Sequence, residues 1–259
     1  MRIRLKFIGK NEKLTLPIHH NEILQGIIYN NLDENIALQI HNKGKKDPES
    51  LRALKLFVFS RLIPGRKPKI ENDGKHISFY FPLTWIISSP IYEFIVSFYN
   101  NLNNRRTIHI HSSNLEEEQV INLLDIYLEP IPLYRRSILI ETLSPITIYR
   151  TDNKEGKSFT HYFAPSAPEF NELILLNLLR KYRTLYGANF LLNEEAYIKP
   201  VKVSSHENII YYKSNIIKGW SGIFELSLPK ELFSLAFSCG LGAKNSQGFG
   251  CIGIWKGCS

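Results

Sequence analysis

Eleven residues near the C-terminal end, Gly240-Leu241-Gly242-Ala243-Lys244-Asn245-Ser246-Gln247-Gly248-Phe249-Gly250, combine four glycines with one lysine. Glycine reaches φ > 0 and admits close backbone approach, so such a turn can aim its N–H groups at an anion, with Lys244 adding positive charge. Gly240, Gly242, Lys244, Asn245, Ser246, Gly248 and Gly250 are therefore candidate anion contacts. The order of elements excludes two common glycine-loop chemistries. A dinucleotide fingerprint needs a strand before the loop and a helix after it, and a P-loop needs Gly-Lys-Ser/Thr opening a helix. Here an apolar helix from Pro229 ends at Gly240, and Cys251-Ile252-Gly253-Ile254-Trp255 reads as a strand. The same glycines would equally serve a turn packed tightly against a neighbouring sheet.

Proton transfer at neutral pH points to histidine. His41 ends a predicted helix, where the dipole favours the imidazolium, while Lys43, Lys45 and Lys46 favour the neutral ring. A histidine at a helix end also serves as a solvated cap. His19 and His20, just before the first predicted helix, are rival bases. His109 and His111 share one face of a strand and could bind a metal, but no acidic or cysteine partner has matching spacing, so the sequence assigns no metal site.

The elements that must position these groups follow from hydrophobic period. Residues 1–9 read as a strand with Arg2, Arg4 and Lys6 on one face and Ile3, Leu5 and Phe7 on the other. Ile23, Leu24, Ile27 and Ile28 form the stripe of a helix that places Tyr29 nearly opposite. A short helix runs from Asp33 to about His41. Strands follow near 53–62 and 75–82, then a helix with Ser89 as N-cap and Pro90 in its first turn, then a strand near 105–111. Residues 115–129 receive no assignment, because their apolar residues alternate poorly. After Pro130-Ile131-Pro132, a strand spans about 134–149, and Ser166-Ala167-Pro168-Glu169 opens a helix that closes at Gly187. Strands near 197–204 and 208–227 precede the Pro229 helix. Two βαββαβ runs predict an α+β protein of two tandem ferredoxin-like (RRM-like) domains, 1–129 and 130–259.

Composition narrows the partner. Thirty-two Lys and Arg against 24 Asp and Glu give a formal charge of +8 and a pI near 9.3, which favours a polyanion. The N-terminus alternates charged and apolar residues, unlike a signal peptide, and no apolar run is long enough to span a bilayer, so a cytoplasmic protein without a membrane partner is expected. Cys239, Cys251 and Cys258 lack C-x-x-C spacing, which argues against a disulfide framework or zinc knuckle. Arg135 and Arg136, the loop Pro64-Gly65-Arg66-Lys67-Pro68-Lys69, and Lys199, Lys202, Lys213 and Lys218 are candidate phosphate contacts. Lys55, Phe57, Phe59 and Arg61 share a strand face, which suits base stacking or a core with charged ends.

The run GLGAKNSQGFG resembles the C-terminal signature of the repeat-associated RNA-processing superfamily, and the nearest family is the CRISPR precursor-RNA endoribonucleases, the sixth Cas protein. Ordered blocks extend the resemblance over most of the chain: Leu16-Pro17-Ile18, Leu24 to Asn30, Ile40 to Gly44, Leu54 to Leu62, Thr142 to Ile146 and Ile217 to Leu226. It implies an endoribonuclease that binds CRISPR repeat RNA and cleaves it without a metal or other cofactor, leaving a 2′,3′-cyclic phosphate and a 5′-hydroxyl. It further implies that His41 is the acid or base, and that Tyr29 and Lys55 complete the site by orienting the RNA and stabilising the phosphorane charge. A homodimer, other Cas proteins in an effector complex, and a noncatalytic RNA-binding subunit all occur within what it implies.

Overall fold

The computed structural model describes residues 1–40, 44–49, 53–112, 115, 117–154, 157–192, 195–213 and 215–257. The N-terminal half runs β1 (Arg2–Gly9), β2 (Lys13–Pro17), α1 (Asn21–Asn30), α2 (Glu34–Leu38), β3 (Lys45–Lys46), β4 (Ala53–Leu54), β5 (Val58–Phe59), β6 (Ile63–Pro64), β7 (Lys69–Ile70), β8 (His76–Tyr80), β9 (Leu83–Ser88), α3 (Tyr92–Arg105), β10 (Thr107–Ile110) and β11 (Gln119–Glu129). Its main sheet has the antiparallel order β10-β11-β1-β9-β5, with β6 also on β9. In that order β11, β1, β9 and β5 hold the fourth, first, third and second strand places of a ferredoxin-like unit. Ile3, Leu5 and Phe7 of β1 are buried beneath Leu24, Ile27 and Ile28 of α1 and Phe94, Ile95, Phe98 and Leu102 of α3. Each such side chain contributes about 1.5–3 kcal/mol on burial, so this face holds the helices on the sheet.

Three sequence expectations change here. The unassigned stretch is the eleven-residue β11, directly beside β1, and the expected strand near 105–111 is only the outer β10. A bulge explains the poor alternation: Lys6 pairs with Asp125 but Phe7 with Leu123, so the inward residues pass from Ile121 and Leu123 to Ile126 across one extra residue. The third main-sheet strand is β9, whereas β8, near the expected 75–82 strand, pairs with β2 and β7 in a side sheet. Ser89 does not cap α3, which starts after Ile91; its hydroxyl donates to Leu56 O at 2.7 Å and accepts from Ile91 N–H.

The C-terminal half runs β12 (Ser137–Thr142), β13 (Tyr149–Lys154), β14 (Lys157–Tyr162), α4 (Glu169–Tyr186), β15 (Tyr197–Val203), β16 (Asn208–Tyr212), β17 (Asn215–Gly219), β18 (Gly222–Ser227), α5 (Lys230–Cys239) and β19 (Ile252–Ile254). Its sheet, β15-β18-β12-β19, repeats the ferredoxin-like order, so the α+β double ferredoxin-like fold read from the sequence is the fold observed. Two long expected strands are subdivided. The 134–149 stretch is β12 followed by the start of the β13–β14 hairpin, and the 208–227 stretch is β16, β17 and β18. Residues 130–136, between β11 and β12, contain no regular element.

The helix-free face of the N-terminal sheet is where the halves meet. Arg2 is buried there, its guanidinium donating to Phe237 O at 3.0 Å and Ile252 O at 2.8 Å, while Ser88 Oγ donates to Phe237 O at 3.1 Å. Val58 and Ile86 pack with Cys251, and Ser144 Oγ donates to Phe59 O at 3.1 Å. Among the described residues, no helix is long and apolar enough to cross a membrane.

Candidate functional site

Helix α1 carries polar residues at Asn21, Gln25 and Tyr29, four apart and so on one face, clear of its apolar stripe. Asn21 Nδ2 donates to Gln247 O at 2.7 Å, and Gln25 donates to Ser246 O and accepts from the Tyr212 hydroxyl. One turn further on, the Lys55 ammonium lies 5.5 Å from the centroid of the Tyr29 ring, which meets Phe57 edge-on at 6.0 Å. The structure thus brings Tyr29 and Lys55 together. Burial, then Tyr212, pushes the Tyr29 phenol well above its ordinary value, so at neutral pH it holds its proton and acts as a donor. Burial, then the nearby Lys213 ammonium, pushes Lys55 down. A phosphate arriving here would relieve that repulsion, and neither lysine has a carboxylate partner among the described ion pairs.

Lys55 also lines a cleft of about 260 Å³ with Ile36, Ile40, Gly44, Lys45 and Glu93. Ile40 and Gly44 flank residues 41–43, and His41 itself lies outside the described residues. The rival histidines are engaged elsewhere. His20 is buried, its Nδ1–H donating to Pro17 O at 3.0 Å, and burial pushes it down to about 4, so it is a neutral packing group at pH 7. His19 Nδ1 accepts from Tyr211 N–H at 3.3 Å, and burial lowers its pKa as well.

The glycine turn is an interior element. Gly240, Gly242, Gly248 and Gly250 are buried with φ of 80°, 68°, 86° and 77°. A Cβ on Gly250 would lie 1.9 Å from Leu241 O, and one on Gly242 would lie 2.4 Å from Thr147 O. Asn245 is buried too, its amide donating to Leu241 O and Phe249 O at 3.0 and 2.9 Å. Buried Lys181 of α4 donates to Gly240 O at 2.7 Å and Gly242 O at 2.9 Å, and burial pushes it down to about 8. The packing reading therefore describes these glycines and Asn245. Lys244 and Ser246 are half-buried; Lys244 sits 5.1 Å from the Tyr149 ring centroid, and burial lowers it.

Other expected contacts divide. Arg135 and Arg136 are exposed, and Arg135 joins Leu133, Trp255 and Lys256 around a cleft of about 570 Å³. Lys218 is paired with Glu207 at 2.9 Å. Phe57 and Phe59 belong to the core, which settles the face they share with Lys55 and Arg61. His109 and His111 do have an acidic partner: Glu118 Oε1 lies 2.7 and 2.8 Å from their ring nitrogens, brought there by the β10–β11 turn rather than by sequence spacing. Among the described residues no group of three or more His, Cys, Asp or Glu is arranged to hold a metal ion. Sequence reasoning missed the β16–β17 hairpin, which delivers Tyr212 to Gln25 of α1 and brings the charge of Lys213 near Lys55. Its signal was the polar Lys213-Ser214-Asn215 between apolar runs.

The same fold of two ferredoxin-like domains is found among solved repeat-associated RNA-processing proteins. A solved protein of that class, described as binding different RNA substrates, superposes with TM-score 0.80 at 20% identity over 99% of this chain and 100% of the other. A Cas6-related protein from Pyrococcus furiosus gives 0.82 at 20% identity, over 99% and 98% of the two chains. Residues 128–254 match the C-terminal domain family of the CRISPR-associated protein Cas6. The CRISPR-associated endoribonuclease Cas6 1 of Methanocaldococcus jannaschii is 28% identical, over 97% of this chain and 92% of that protein. The Cas6 endoribonuclease of Pyrococcus furiosus is 26% identical, over 97% and 88%. The chain is thus similar to Cas6 endoribonucleases over nearly its whole length, and its C-terminal half matches the Cas6 C-terminal family.

Proposed function

We propose that this protein is an endoribonuclease that binds CRISPR repeat RNA and cuts it by metal-independent transesterification. The RNA supplies its own nucleophile: the 2′-hydroxyl attacks the adjacent phosphorus, the 5′-oxygen leaves, and the ends are a 2′,3′-cyclic phosphate and a 5′-hydroxyl. His41 moves the proton, Tyr29 donates a hydrogen bond to the ribose or phosphate, and Lys55 stabilises the phosphorane charge. Lys213 adds a second cation at the same spot. Residues 1–129 supply the proposed catalytic groups, and residues 130–259 supply the hairpin and the glycine turn.

The observation that carries this reading is the meeting of Tyr29 and Lys55 beside a cleft whose walls include both neighbours of the 41–43 segment. The similarity to Cas6 endoribonucleases and the excess of basic residues agree with it. The test is single-turnover cleavage of the cognate repeat RNA in EDTA, with and without a 2′-deoxy substitution at the scissile nucleotide. Cutting should persist under chelation and stop with the deoxy substrate. Loss of cutting in EDTA that Mg²⁺ restores would overturn the mechanism, and tight binding with no cutting under any condition would leave an RNA-binding subunit.

A further inference from the structure

Between the proposed catalytic His41 and Lys55 the chain makes a short excursion, β3 pairing with β4 through Lys45↔Leu54 and Lys46↔Ala53. One side of this arm lines the Lys55 cleft through Gly44, Lys45 and Leu54. Among the described residues, its side chains also reach the second half. Asp47, immediately after β3, is fully buried and receives two hydrogen bonds from the Arg183 guanidinium of α4, Nε to Oδ1 at 2.7 Å and Nη2 to Oδ2 at 2.9 Å. Arg180 Nε approaches the same carboxylate at 3.9 Å. Arg183 also binds Glu49, and Asn189 Nδ2 donates to Glu49 at 3.2 Å. Lys45 Nζ donates to Leu185 O at 2.6 Å.

A general stabilising role does not explain this arrangement. Burying a carboxylate and a guanidinium costs desolvation that an apolar pair of the same size avoids, whereas a bidentate fork fixes direction and register more tightly than apolar contact does. Among the described residues the arm has a two-residue ladder of its own, too little to hold a fixed course. Its position is thus set from outside, by α4 of the other half.

We propose that Asp47 and Arg183 are positioning residues for cleavage: the pair seats the β3–β4 arm on α4 and so holds Lys55 at the scissile phosphate, making the active site depend on the docking of the two halves. The proposal rests on the cleavage reading above. A displacement of about 1 Å at a reacting centre can cost on the order of 100-fold in rate, so a clamp remote from the phosphate can carry a large kinetic effect.

The experiment compares wild type, Arg183→Ala, Arg183→Lys and Asp47→Asn in three measurements: single-turnover cleavage at saturating protein, repeat-RNA affinity, and amide hydrogen exchange of residues 44–49. Arg183→Ala should cut on the order of 100-fold more slowly, keep its affinity within about threefold because many phosphate contacts remain, and exchange faster at 44–49 while α3 and β1 keep wild-type protection. Arg183→Lys, which retains the charge but not the fork, should fall between the two. Asp47→Asn, nearly isosteric, serves where Arg183→Ala fails to fold. Unchanged exchange at 44–49, or exchange that rises with no loss of cutting, overturns the proposal. So does equal loss of rate, affinity and global protection, which marks a purely structural pair. Should the wild type itself never cut, the cleavage reading has failed, and the exchange measurement still decides whether the pair seats the arm.

Discussion

The glycine turn and the Tyr29–Lys55 site lie at the two ends of one helix face and are built in opposite ways. At the turn, Asn21 and Gln25 of α1 bind backbone carbonyls, the glycines are buried, and every close neighbour is another part of the same chain. At the site, the charge of Lys213 is close enough to lower the Lys55 pKa, neither lysine has a carboxylate partner among the described ion pairs, and a half-buried phenol lies against Lys55. The glycines and Asn245 of the first region are packed and bonded within the turn, although Gln247 Oε1 there is buried without a hydrogen-bond partner, while the second region brings two like charges near each other. The most recognisable motif of the chain therefore joins its two halves, and the proposed catalytic groups sit a turn away among residues of ordinary appearance. An anionic ligand arriving there would relieve that like-charge proximity, as the proposed cleavage requires.

That contrast can be broken at either end, and the largest effect belongs to the chemistry. His41→Ala should slow single-turnover cleavage by about 100- to 10,000-fold, the usual worth of a general acid or base, with repeat affinity nearly unchanged. Lys55→Ala should lose less, about tenfold or more, since Lys213 can supply part of the charge that a full set of donors provides. A wild-type rate in His41→Ala would remove this histidine from the mechanism.

Gly250→Ala attacks the turn instead. With φ at 77° and the new Cβ 1.9 Å from Leu241 O, it should destabilise the fold, and a loss of about 3 kcal/mol or more places it among the severe single substitutions. Gly26→Ala is the counterpart within α1, where a Cβ meets nothing within 4 Å, and it should gain up to about 1 kcal/mol from helix propensity. Thermal or urea unfolding reads both, and equal behaviour of the two variants would show that glycine content, not close packing, governs the turn.

A further effect is a pH dependence beside the turn. His20 is held neutral, its pKa pushed from 6.5 down to about 4, so the unfolded chain binds the extra proton between those values. The stabilisation from a neutral, hydrogen-bonded ring is complete above about pH 6.5 and is lost as pH falls toward 4, up to roughly 3 kcal/mol at 1.36 kcal/mol per pH unit. Urea melts at pH 7 and pH 5 should show a loss that is smaller in His20→Phe. An identical loss in both proteins would assign it to other groups.

The legible parts of this molecule were those with local rules. The apolar stripe of α1, the Gly187 and Gly240 helix ends, and the alternation of Ile3, Leu5 and Phe7 all follow from neighbours in sequence. Strand β11 escaped because its bulge breaks the period on which strand reading depends. Lys244 was visible as a cation, but its half-buried seat over Tyr149 was not. Tyr29 and Lys55 were named through a family pattern, and neither residue type nor spacing by itself singles them out.

By itself the sequence determined the two ferredoxin-like repeats, the basic balance of charge and the resemblance to Cas6 proteins, because composition, period and motif order survive without coordinates. Only the tertiary structure decided that the glycine turn is interior, that Arg2 and Asp47 are buried charges joining the halves, that Glu118 serves His109 and His111, and that Lys213 stands near Lys55. Each of those depends on contacts between residues far apart in the chain, and a charged side chain looks the same in sequence whether it ends in water or in a partner's fork.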